Sequence, residues 1–317
     1  MLILIEKKLF AGFVMLICIV LSSKIYGQQE AFFSQYMFNQ QALNPAYVGI
    51  KNFTQITVLN HSQWLDIEGA PENQAVSLST KIAENIGLGF TAITDKIGPL
   101  NTSALAVDFG YHLLLNDKGL RVSLGLKISG RLSSFDFTKI KLVQPQDNSF
   151  NFQNQNEINL NFGTGFYIYN PKFYFGIGIP FLIDYENINI KKNYYAIIGG
   201  IYPISDLIEL RPSILFQKTS GINLIYDNSI WVVFNKRFWI GPQYRTTVKS
   251  ILPSKSFGGY YGMIAGLNLG RNLSIGYAYQ GKITNQLTGI TNSTHEILLR
   301  FKLVPKVRGV LRSPRLF

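Results

Sequence analysis

Between residues 120 and 133 apolar and polar side chains alternate without a break. Leu120, Val122, Leu124, Leu126, Ile128, Gly130 and Leu132 occupy one set of positions, and Arg121, Ser123, Gly125, Lys127, Ser129, Arg131 and Ser133 the other. Successive side chains of a strand point to opposite faces, so one face is oily and the other carries three cations. A soluble sandwich has the same period, but about 14 alternating residues rise roughly 45 Å, against roughly 17–20 Å for globular strands. A tilted membrane strand needs about 9–11 residues. The pattern recurs: Ser103, Leu105, Val107, Phe109, Tyr111 and Leu113 oppose Ala104, Ala106, Asp108, Gly110 and His112. Ile158, Leu160, Phe162, Phe166 and Ile168 oppose Asn159, Asn161, Gly163, Gly165 and Tyr167, and Ile297, Leu299, Phe301 and Leu303 oppose Glu296, Arg300 and Lys302. Small or polar residues inside and large apolar ones outside invert the soluble barrel, which predicts an all-β, transmembrane antiparallel β-barrel. Aromatics gather at segment ends, as at Tyr167, Tyr169, Phe173 to Phe175, and Tyr260 with Tyr261, where interfacial girdles form.

Period two places about 14 strands, near 53–61, 74–82, 86–93, 102–115, 120–133, 157–169, 172–180, 193–202, 207–217, 221–234, 238–247, 259–269, 272–280 and 294–303. Asp227 and Asn228 threaten to split the tenth, and an even count favours keeping it whole. The odd connections read as long: 62–73, 94–101, 134–156, 181–192, 248–258 and 281–293, with 218–220 the exception. The even ones read as short: 83–85, 116–119, 170–171, 203–206, 235–237 and 270–271. Short periplasmic turns alternate with long outer loops in such barrels, which puts both termini in the periplasm. The Asn- and Gln-rich stretch 134–156 is either a surface feature or a partial lumen plug.

The N-terminus supplies the route. Lys7 and Lys8 precede an apolar stretch from Leu9 to Leu21, then small or polar residues to Gly27. This reads as a signal peptide over 1–27, too short to span a membrane as a helix. Residues 28–51 then form an N-terminal periplasmic or lumen segment, 52–303 the outer-membrane β-barrel and 304–317 a basic tail. Only 15% of residues are charged, below the roughly 25% of a soluble domain, so lipid covers part of the surface. Cys18 is the only cysteine and falls in the apolar stretch, which leaves neither a disulfide framework nor a thiolate metal site. Beyond residue 27 the chain keeps 27 basic and 17 acidic residues, a net +10. With no lysine-rich helix or aromatic-basic motif, that charge reads as rim and lumen residues facing water and outer-membrane lipid, with no nucleic acid as partner.

Catalytic chemistry finds little to work with, and no cofactor or metal is expected. His112 shares a face with Asp108, yet four strand residues separate them by roughly 13 Å, so they do not pair. His61 and His295 lie near strand ends and suit rim or turn roles. Gly87-Leu88-Gly89 and Gly176-Ile177-Gly178 mimic phosphate loops, but neither opens a helix, and both read as strand glycines permitting close packing. The pairs Asp66 with Glu68 and Asp184 with Glu186 read as solvated loop residues. Lys306, Arg308, Arg312 and Arg315 could dock a periplasmic partner or simply stay solvated. The inward cations Arg121, Lys127 and Arg131 would suit an anion-favouring porin or small-solute channel.

Phe33-Ser34-Gln35-Tyr36-Met37-Phe38-Asn39, followed by Asn44-Pro45-Ala46-Tyr47 and Gly49, is not a strand pattern. Asn44-Pro45 starts a turn, and the segment reads as extended, tethered at the periplasmic side or tucked into the lumen. It resembles the N-terminal signature of the PorP/SprF family of type IX secretion membrane proteins. Further pieces fit that family in order: Gln63-Trp64 with Gly69-Ala70-Pro71, Asp95-Lys96-Ile97-Gly98-Pro99, and His295-Glu296-Ile297. It departs at His61 and Gln40, where the family would have Arg and Pro or Gly, and in a longer tail. The resemblance implies a non-enzymatic, 14-stranded outer-membrane barrel of the type IX secretion system. Its members assist export or surface anchoring of a secreted adhesin or other secretion cargo, or serve gliding machinery, with a peptidoglycan-linked periplasmic component as suggested partner. The signature residues are then candidate partner or lumen contacts.

Overall fold

A computed structural model of the chain describes residues 33–65, 67–136, 157–185, 191–220, 223–247, 259–282 and 293–304. The proposed signal peptide, most of the 134–156 stretch and the basic tail beyond 304 lie outside the described residues.

Fourteen strands close into one antiparallel barrel: β1 (Thr54–Gln63), β2 (Glu72–Ala83), β3 (Ile86–Ile97), β4 (Leu100–Leu114), β5 (Arg121–Phe135), β6 (Glu157–Tyr169) and β7 (Phe173–Ile179) form one half. The other half is β8 (Asn193–Gly200), β9 (Ile208–Thr219), β10 (Ile225–Phe234), β11 (Phe238–Thr247), β12 (Tyr260–Leu269), β13 (Leu273–Lys282) and β14 (Thr294–Leu303), with Tyr202–Pro203 as a two-residue extension beside β9. Each strand pairs with its neighbours in sequence, and β1 pairs with β14 from Thr54↔Leu303 to Gln63↔Thr294, leaving no free edge. Closure pairs the strand backbones all the way round, which a lipid-embedded sheet requires. The tenth strand is whole through Asp227 and Asn228, although it starts at Ile225 rather than 221.

The wall is inside-out as the alternation predicted. Leu126 is 62% exposed while its neighbour Lys127 is 4% exposed. Leu105, Val107 and Phe109 likewise face outward where Asp108, Gly110 and His112 face the lumen. Short connections at one end of the barrel, such as 84–85, 170–172 and 235–237, define a turn end; the opposite end is the loop end.

One connection corrects the sequence reading. The expected long loop at 94–101 is a tight hairpin: β3 runs to Ile97, β4 starts at Leu100, and only Gly98 and Pro99 lie between. Thr94, Asp95, Lys96, Asn101 and Thr102 are polar because the ribbon outruns the apolar wall there, and backbone pairing continues without lipid.

The lumen holds the second departure. Residues 33–50 are not extended. They form a 3-10 turn over Tyr36–Phe38, a single helical turn α1 (Gln40–Leu43) and a 3-10 turn over Pro45–Tyr47, with Asn44 Oδ1 accepting from Ala46 N at 2.9 Å. The expected turn at Asn44-Pro45 is present. Most of this segment is buried inside the barrel, Ser34, Gln35, Ala46 and Val48 completely. Phe33 sits beside His61 near the loop end (ring centroids 6.2 Å apart), and the chain descends to enter β1 at the turn end.

Candidate functional site

The interface between this internal plug and the barrel wall is the most highly organised polar site among the described residues. Its upper anchor is Glu296 on β14. That buried carboxylate accepts from Ser34 N at 2.6 Å, Gln35 N at 2.8 Å and His61 Nδ1 at 2.9 Å. Because Nδ1 donates to a carboxylate, Nε2 of His61 is left as acceptor for Gln63 Nε2 at 3.4 Å. His61 was expected at the rim. It is instead 2% exposed in the lumen, since a strand's inner face stays buried wherever a plug covers it. Opposite, Gln243 donates to Ser34 O at 2.8 Å and to Asp227, itself paired with Arg245 at 2.9 Å.

The middle anchor is Gln41. Its amide nitrogen reaches Leu78 O, Phe90 O, Thr91 Oγ1 and Asp108 Oδ2 at 3.0 to 3.2 Å. Asp108 pairs with Lys127 at 3.3 Å, both nearly inaccessible to solvent, and the Lys127 ammonium also lies 3.4 Å from Gln41 O and 3.5 Å from Ala42 O. Lys127 is therefore a neutralised strut rather than a free pore charge. Arg131 is partly buried with its guanidinium 5.1 Å from the Phe181 ring, and Arg121 is partly buried near the turn end. Asn44 donates to Phe166 O at 3.0 Å and Tyr167 donates to Gln40 Oε1 at 2.6 Å.

The lower anchor is His112, whose Nε2 lies 2.8 Å from Val48 O. A carbonyl only accepts, so Nε2 carries the proton and Nδ1 accepts from the Tyr169 hydroxyl at 3.1 Å. Asp108 and His112 do not meet; each holds a different part of the plug. Burial pushes the Tyr36 phenol well above its usual range, helped by the Asp227 charge, and burial likewise raises Tyr47 against the pull of Arg300. Both phenols stay neutral at physiological pH.

Glycines make the room. A Cβ on Gly125 would collide with Ala46 N and Pro45, and one on Gly87 with Val48 O; Gly49, at φ +76°, packs on Gly87. These wall positions let two backbones approach, which is the close-packing role expected for Gly87, Gly89, Gly176 and Gly178.

The remaining signature residues assemble at the loop end. Gln63 N donates to Pro71 O and Trp64 N to Ser293 O, both at 3.0 Å, with Trp64 held at φ 50°. Gly98 N donates to Gly69 O at 2.9 Å, tying the β1–β2 connection to the β3–β4 hairpin. Asp95 stands across from Asn73, and Pro99 accepts from Asp136 N at 2.8 Å. His295 faces outward, with Nδ1 2.6 Å from the Tyr277 hydroxyl. Sequence reasoning missed Gln41 and Gln243 as anchors; the only signal available for Gln243 was its inward register. Among the described residues no group of His, Cys, Asp and Glu could hold a metal ion.

This is a plugged outer-membrane β-barrel. The family described as "Type IX secretion system membrane protein PorP/SprF" matches residues 25–301, and the chain belongs to that family. No curated protein matches it in sequence. In fold it is similar to the CymD monoaromatic hydrocarbon channel, at 14% identity and TM-score 0.48 over 87% of this chain and 94% of that one. It is also similar to the Ralstonia pickettii toluene transporter TbuX, at 9% identity and TM-score 0.47 over 82% and 92%, and to the KdgM porin, at 9% and 0.38 over 78% and 98%.

Proposed function

We propose that the protein is a non-conducting accessory barrel of type IX secretion that assists export or surface anchoring of a secreted adhesin or similar cargo through contacts at its loop-end rim. The observation that carries this reading is the plug: residues 33–49 are mostly buried and are bonded to β1, β2, β4, β6, β11 and β14. An anchor needs a rigid body and a shaped rim, not a pore. Trp64, Gly69, Pro71, Gly98 and Pro99 brace that rim, and in this reading the loop end faces outward, the turn end faces the periplasm, and a peptidoglycan-linked component docks there. The porin alternative draws its support from inward cations, but Lys127 is already neutralised by Asp108. The test is a comparison of surface and culture-fluid proteins in cells with and without the gene. Loss from the surface of one large adhesin is expected; failure of many secreted proteins together indicates a core component, and an unchanged profile overturns the proposal.

A further inference from the structure

The turn-end mouth of the barrel carries a feature that the plug anchors do not use. Beneath the plug, a cavity of about 300 Å³ is lined by Phe38, Arg211, Trp231, Trp239, Arg300 and Lys302, among others. It adjoins a second of about 290 Å³, with which it shares Phe38, Arg211, Trp231, Arg300 and Lys302, and whose far wall is aromatic through Tyr47, Tyr169 and Phe173. Lys236 also lines the first cavity, and its sole carboxylate, Glu209, is already taken by Arg211 at 2.6 Å. Arg300, Lys302 and Lys236 make no ion pair among the described residues.

Three donors lining this cavity lack any acceptor: Arg300 Nε, Trp231 Nε1 and Trp239 Nε1. Buried donors are normally paired, and here every unmatched group is a donor beside surplus positive charge. An acceptor-rich anion satisfies that set and offsets the charge as well. Phe38, wedged between Trp231 and Trp239 at centroid distances of 5.2 and 5.4 Å, carries the Arg300 guanidinium 4.8 Å above its ring. The charge is thus held over an apolar, aromatic floor that would take the body bearing the anion.

We propose that this vestibule is a binding site for an acidic peptide segment, a carboxylate flanked by apolar or aromatic side chains. A free oxyanion would leave the aromatic half empty, since cavities of this size hold drug-sized ligands. A lipid headgroup would have to cross the rim into the lumen while its acyl chains stay behind the wall. The site goes beyond the secretion reading and does not depend on which cargo is carried.

The test uses the full chain, folded in detergent, titrated with a Glu/Leu hexapeptide while tryptophan emission is followed. Saturable binding is expected, weakened by salt, absent for the Gln/Leu analogue, and weakened about tenfold in an Arg300→Gln/Lys302→Gln variant. Should that variant not fold, Lys236→Gln/Lys302→Gln, at the rim, gives the same reading with a smaller loss. No saturable change, equal binding by these variants, inorganic phosphate binding as tightly as the peptide, or binding only to phosphatidylglycerol micelles would each overturn the proposal.

Discussion

Replacing Glu296 by alanine removes the acceptor for three buried donors, the Ser34 and Gln35 amides and His61 Nδ1. A hydrogen bond to a charged group contributes about 1.5–3 kcal/mol. Leaving a buried donor without its acceptor costs about 1–3 kcal/mol in lost solvation. Such values do not add, so we take about 3–5 kcal/mol for the site as a whole. The barrel's closed ladder is untouched, so the cost falls on seating of the first plug turn, Phe33 to Phe38. At about 1.4 kcal/mol per decade, the unseated population rises by about two to three and a half orders of magnitude. A cysteine placed at Ser34, fully buried in the parent, reports this directly through its maleimide labelling rate, which tracks the open population when closing is fast. The parent without that cysteine reads any background from Cys18, the chain's only other thiol. Labelling should accelerate at least about a hundredfold in Glu296→Ala, and less in Glu296→Gln, which keeps one acceptor oxygen. A rate within twofold of the parent would refute the claim that Glu296 anchors the plug.

Other substitutions separate the plug from the wall. Gly125→Val drives a side chain into Ala46 and Pro45, and overpacking of about 1–3 kcal/mol should speed the same labelling while leaving heat-modifiable migration of the barrel on gels intact. Lys127→Met strands the Asp108 carboxylate and should cost about 3–5 kcal/mol in urea unfolding, with Asp108→Asn in the same chain recovering most of it. Leu126→Arg, one residue away but on the lipid face, should lower unfolding free energy in lipid by about 2–4 kcal/mol if near the midplane, whereas Ser123→Ala in the lumen should not.

The barrel was legible because lipid on one side and a polar lumen on the other impose a strict two-residue period, as Leu120 to Ser133 displays. What failed to read followed from the same cause. Thr94 to Asn101 carries no apolar alternation because both sides of that ribbon leave the lipid, so a paired hairpin looked like a loop. The plug has no period of its own: three single turns are held by partners on distant strands, and Ser34 meets a carboxylate 262 positions away. Local sequence carries no trace of that pairing. The resemblance of Phe33 to Gly49 to a family signature marked the segment, but its partners, Gln243, Asp108 and His112, become visible only when the strands close around it.

The most direct measurement of the central claim is the conductance of the purified, folded protein in a planar bilayer at neutral pH. The account predicts no stable open channel for the parent and a conducting state only once the plug is unseated, as in Glu296→Ala combined with Gly125→Val. A steady, anion-selective conductance from the parent protein would contradict it and identify the barrel as a pore.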